Sequence, residues 1–143
     1  MPKPDPGLLD PARYPFRCEV YPRFGDLDVN QHLNNVALAG ILEEGRVQFH
    51  RISKYEDAVS GITSMAASFA VDYLGEAYYP APLTIHVAAI SIGRTSHTLG
   101  QLAMQEGRPI AYARTVLVCV SGGRPVENSP LFVEAVSRWM LRP

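Results

Sequence analysis

With 143 residues, 47% of them apolar and 19% charged, the chain is long enough for one domain with a substantial core and shows no compositional sign of disorder. Its net charge of −1 lacks the basic excess of a nucleic-acid binder, and no apolar run reaches the roughly 18 residues of a membrane span. The N-terminal residues carry no signal-peptide core, and the two cysteines, Cys18 and Cys119, form no metal-spaced or redox pair. A cytoplasmic protein with two buried free thiols is expected.

Residues 1–13 contain four prolines and no periodic pattern, and read as a flexible tail that either wraps the domain or dangles from it. The rest, 14–143, reads as a single domain. Alternation over Phe16–Tyr21 predicts a first strand. A polar cluster follows. Leu38, Ile41, Leu42, Gly45 and Phe49 then mark one face of a helix from about 35 to 50, with Glu43, Arg46 and His50 expected on its wet side. From there the period changes to two, which predicts strands near 64–73, 83–89, 96–105 and 110–120, joined by turn residues and read as an antiparallel meander. A short helix is expected within 130–141. One buried helix against one curved antiparallel sheet is an α+β layer architecture, and the open edges of such a sheet call for at least a dimer.

The cluster Asp26-Leu27-Asp28-Val29-Asn30-Gln31-His32-Leu33-Asn34-Asn35 is the chemically richest stretch. A helix entry needs one capping side chain, and this one supplies two carboxylates, a histidine and several amides. No Gly-x-Ser-x-Gly elbow, phosphate loop or dinucleotide-binding glycine pattern is present, and the four histidines are too scattered for a zinc site. What remains is carboxylate chemistry beside a helix N-terminus. The N–H groups of Asn34, Asn35 and Val36 fall where intrahelical partners are lacking, and they suit the oxyanion that forms when a carboxylate, or water activated by it, attacks a thioester. Asp28 is the candidate attacking group. Asp26 fits a structural role, and Glu44 on the helix flank is a rival base.

This stretch, with the helix and strands after it, resembles the hotdog-fold thioesterases, in particular the 4-hydroxybenzoyl-CoA thioesterase-like acyl-CoA thioesterases. The likeness extends to Tyr73-Leu74 and to Gly93-Arg94-Thr95-Ser96. It implies a hotdog fold, a curved antiparallel sheet wrapped around one long central helix, paired into a homodimer or homotetramer. It implies Asp28 as nucleophile or general base and the Asn35 backbone N–H as the donor that polarises the thioester carbonyl. The Asp28-x-Asn30-x-His32 spacing also resembles plant acyl-carrier-protein thioesterases, which implies supporting roles for Asn30 and His32. Arg94, Thr95 and Ser96 match the loop that contacts the phosphate and pantetheine end of CoA. No resident cofactor is implied, since CoA is part of the substrate. Many members of the family carry Gly where this chain has Gln31.

The leading expectation is therefore hydrolysis of an acyl- or aroyl-CoA thioester. An acyl-carrier-protein substrate would call for a basic patch at the site, to which Arg94, Arg108 and Arg124 are the candidates. A hydratase is disfavoured, because its Asp-to-His spacing is five and here it is four. A non-catalytic acyl-CoA-binding protein completes the alternatives.

Overall fold

The computed structural model describes residues 3–143. Its elements are β1 (Phe16–Val20), α1 (Asn35–Ser53), β2 (Thr63–Tyr73), β3 (Leu83–Ile92), β4 (Ser96–Gln105), β5 (Arg108–Ser121), the two-residue β6 (Arg124–Pro125) and α2 (Pro130–Ser137). Short 3-10 turns lie at Pro6–Leu9, Pro11–Arg13, Phe24–Asp26 and Tyr55–Ala58.

Helix α1 starts where Asn34 Oδ1 accepts a 2.7 Å bond from Val36 N, and it stops at Lys54, whose φ of 53° leaves the helix. The five residues expected on its inner face, Leu38, Ile41, Leu42, Gly45 and Phe49, are all buried. Gly45 lets the helix touch the sheet, since a Cβ there would stand 2.5 Å from Ile85 Cγ2. Phe49 anchors the far end of the core, its ring 5.4–5.8 Å from those of Phe16, Tyr55 and Trp139. Two residues expected on the wet side face inward instead. The Arg46 guanidinium lies 5.7 Å from the Phe69 ring and Nη1 donates to Thr115 Oγ1, while His50 Nδ1 sits 2.7 Å from Glu56. The helix flank that carries them is covered by β2, β5 and the Tyr55–Ala58 turn, which no helical period reveals.

The sheet runs β1-β3-β4-β5-β2 with antiparallel neighbours, and β6 pairs with β5. The expected meander holds for β3-β4-β5, but β2 does not pair with β3. The open side of β3 is taken by β1 (Val20 opposite Leu83), so residues 74–82 cross over and β2 lies beside β5, Tyr73 opposite Ala111. This is the hotdog arrangement: the sheet curls around α1, which packs chiefly on β1 and β3. The end of α2 also differs, because Trp139 and Leu141 leave the helix to bond Ala89 of β3.

Residues 5–14 wrap the convex face of the sheet, opposite α1. Asp5 and Asp10 cap the two 3-10 turns, and Arg13 is tied to Arg142 through both its backbone and its side chain. Cys119 is buried and Cys18 half-buried; both are free thiols. No helix among the described residues is long and apolar enough to cross a membrane.

Candidate active site

The loop before α1 is a set of nested turns held by its own carboxylates. Asp26 is buried and accepts from Arg23 N (2.8 Å) and the Arg23 guanidinium (3.1 Å), while its carbonyl receives Asn34 N at 2.8 Å. Those bonds, the Arg23 N–H foremost, hold the Asp26 carboxyl below the usual carboxylate range against the opposing effect of burial. It is a structural acid, as its position implied. Asp28 closes a second turn: its N–H donates to His32 O at 2.8 Å, and Oδ1 accepts from Asn30 N (2.8 Å) and His32 N (3.1 Å). Gln31 between them sits at φ 65°, the left-handed region that glycine fits without strain. That is the physical reason glycine suits this position in the family.

Three donors were expected at the helix entry, and the structure separates them. Asn34 N is used by Asp26 O and Val36 N by the Asn34 cap. Among the described residues the Asn35 N–H alone of the three has no acceptor. It opens, with Asp28, Asn30, His32, Leu38 and Tyr73, onto a cleft of about 430 Å³. The other carboxylate oxygen of Asp28, Oδ2, likewise has no partner among the described residues. A carboxylate with a free oxygen thus shares a hollow with a free N–H at the positive end of a helix, which is the arrangement acyl transfer requires.

His32 joins the site differently from the expectation. Its backbone touches Asp28, while its imidazole pairs with Glu76, which lines the same cleft, Nε2 lying 3.0 Å from Glu76 Oε2 with the Tyr78 ring edge-on at 5.3 Å. Arg108 extends the row, its guanidinium 5.7 Å from the Tyr78 ring and donating to Glu76 O. Arg108 was a sequence candidate for a basic patch at the site, but Glu76 had no place there. A lone acid in the apolar run Leu74 to Ala77 was the available signal, but its partner is 44 residues away.

A family model for the thioesterase-like superfamily matches residues 22–140. The chain belongs to that superfamily. No curated protein matches it. Among solved structures, this thioesterase-like chain is similar to a thioesterase from Thermus thermophilus complexed with coenzyme A and Zn, at 26% identity and a TM-score of 0.78, over 92% of this chain and 98% of that one. A predicted thioesterase from Bacillus stearothermophilus is also 26% identical, with a TM-score of 0.77, over 90% and 98% of the two chains. The DHNA-CoA thioesterase from Staphylococcus aureus shares the fold at 20% identity, with a TM-score of 0.72, over 85% and 88%.

The remaining candidates lie elsewhere on the thioesterase-like fold. Glu44 lines a different, larger hollow of about 690 Å³ on the opposite flank of α1, with Asp26, Asn34 and Tyr21. That hollow shares none of the Asp28 cleft's lining residues. Arg94 and Thr95 lie in the β3–β4 turn and Ser96 opens β4. The ten residues of β3 at about 3.3 Å each set that turn about 30 Å from the end where Leu33 N bonds Ala77 O beside the cleft. Arg94 pairs there with Glu127 at 2.9 Å, both side chains exposed. Within one chain Asp28 and Arg94 do not meet. Among the described residues no group of three His, Cys, Asp or Glu side chains is placed to hold a metal ion.

Proposed function

We propose that the protein is an acyl-CoA thioesterase working at the Asp28 cleft. The reading rests on one observation: among the described residues Asp28 Oδ2 and the Asn35 N–H are an unengaged acceptor and donor that line one cleft, while the neighbouring Asn34 and Val36 N–H groups are used. The thioester carbonyl oxygen accepts from Asn35 N–H, and the α1 dipole favours the charge that develops on it. Asp28 attacks the carbonyl carbon, or takes a proton from the water that does. The C–S bond then breaks and CoA leaves as thiol; where water attacked, the acid is released directly, and where Asp28 attacked, water hydrolyses the mixed anhydride, freeing the acid and restoring the carboxylate. His32, braced by Glu76 and Tyr78, and Asn30, whose N–H holds Asp28 Oδ1, serve as positioning residues.

CoA is favoured over an acidic carrier protein by the placement of charge. Of the three arginines proposed for a basic patch, Arg108 alone lies at this end, beside Glu76 and Glu106; Arg94 and Arg124 belong to turns at the opposite end. A phosphate contact from Arg94 then requires a second copy. Strand β2 offers the means: it is an unpaired edge with Met65, Phe69 and Tyr73 exposed at 60%, 42% and 48%, and antiparallel pairing across it sets opposite ends of two copies together. A homodimer is the minimal working unit.

The test is free-thiol release from a panel of acyl- and aroyl-CoA esters, native against Asp28→Asn. A loss of the order of 10²–10⁴-fold is expected on substitution. A variant nearly as fast as the native chain would move the base to Glu44. No turnover on any ester would leave a carrier-borne substrate or a binding role.

A further inference from the structure

The segment before β1 is built as a wall. Gly7 N donates to Asp5 Oδ1 at 2.8 Å, the Tyr14 hydroxyl to Leu8 O at 2.6 Å, and Arg13 Nη1 to Gly7 O at 2.8 Å. Tyr14 is buried with Ala88 and Leu102, and Leu9 packs against the same patch beside Met104 and Leu141. Where this strap reaches the end of β2 it borders an open hollow of about 620 Å³, within the range of small-molecule sites. Pro4, Leu9, Val71, Leu74 and Pro109 give it apolar sides, and Lys3 and Asp72 are its charged residues. Tyr73 and Leu74 also line the Asp28 cleft, so the two hollows share one sill.

Their chemistry differs across that sill. The Asp28 cleft holds Asp28, His32, Glu76 and Tyr73 with two amides, Asn30 and Asn35, and its apolar wall is limited to Leu33, Leu38, Leu74 and Ala77. The strap hollow is mostly apolar, with Lys3 and Asp72 its charged residues. A fatty acyl thioester divides in the same way, into a polar reacting carbonyl and an apolar chain. We propose that the strap hollow is an acyl-chain groove: with the thioester carbonyl at the Asn35 N–H, an aliphatic chain of medium or greater length crosses Tyr73 and Leu74 and lies along Leu9. This rests on the thioesterase reading above and names the substrate class for it. Each methylene taken out of water contributes about 0.8 kcal/mol, or about fourfold in affinity, so the groove favours long acyl groups over short ones.

The experiment compares kcat/KM for dodecanoyl-CoA and butanoyl-CoA in native protein and in Leu9→Glu, with mass in solution measured by light scattering. Leu9→Glu should lower the dodecanoyl value at least tenfold and leave butanoyl turnover and the oligomeric mass unchanged. Equal effects on both esters would overturn the groove while leaving the thioesterase reading intact, and a changed mass with equal losses would assign the hollow to a second copy. If the native chain turns over neither ester, the thioesterase reading fails on its own, and calorimetric binding of dodecanoate decides the groove. Binding that weakens tenfold in Leu9→Glu upholds it; no binding by the native chain refutes it.

Discussion

Lowering the pH from 6.5 to 5 should cost the fold about 2 kcal/mol through His97 alone. The His97 ring is 1% exposed, with Nε2 2.6 Å from the Tyr55 hydroxyl, Nδ1 without a partner, and the rings of Tyr55 and Phe132 edge-on at 5.3 and 5.5 Å. A charged ring there is shut off from water, and its Nδ1–H has no acceptor. Burial therefore lowers its pKa from 6.5 to about 4, Glu56 opposing the shift and the charge on His50 adding to it. The folded state holds its neutral form while the unfolded chain protonates near 6.5, so the loss begins as pH falls through 6.5 and is complete below about 4. At about 1.36 kcal/mol per unit, the window to pH 5 is worth about 2 kcal/mol and the whole of it about 3. Urea unfolding of native and His97→Gln protein at pH 7.5 and pH 5 measures this, since Gln keeps an acceptor for Tyr55. Burial lowers His86 as well, which is common to the two proteins and cancels; Glu56, whose pKa is lowered in part by His97, loses its contribution chiefly as pH falls through its ordinary 4.5, below the window measured. The native chain should lose about 2 kcal/mol more than the variant on acidification. Equal losses would refute the reasoning.

Gly45→Ala gains about 1 kcal/mol of helix propensity but drives a Cβ to within 2.5 Å of Ile85 Cγ2, an overpacking of about 1–3 kcal/mol. Thermal melts should show a net loss, smaller than the sum of the single effects when combined with Ile85→Ala; a higher melting temperature for Gly45→Ala alone would show that the contact is not tight. Lys54→Gly relieves the left-handed C-terminus of α1 (φ 53°), with part of the gain returned as unfolded-state entropy. A net gain of about 0.5 kcal/mol, or about 1–2 °C in melting temperature, is the expected reading.

The local features of this protein were legible in its sequence because they rest on short-range physics. The apolar period of α1 named all five buried residues of its inner face, and alternation marked the strands. The crowding of Asp28, Asn30, His32 and Asn35 before a helix marked a site, since no cap needs so many polar groups. Which groups stay free was a tertiary decision: Asn35 N–H is available because Asp26 O takes Asn34 N, a bond the loop closes only when folded. Long-range pairing was beyond reach for the same reason. Nothing local places β2 beside β5, turns Arg46 onto Phe69 or sets Glu76 against His32, because each depends on which surfaces remain once the sheet has curled. Proline-rich residues 1–13 illustrate the division most simply. The prolines and capping aspartates of the strap dictate its turns, but only the apolar patch of Ala88, Leu102 and Met104 decides that it wraps the sheet.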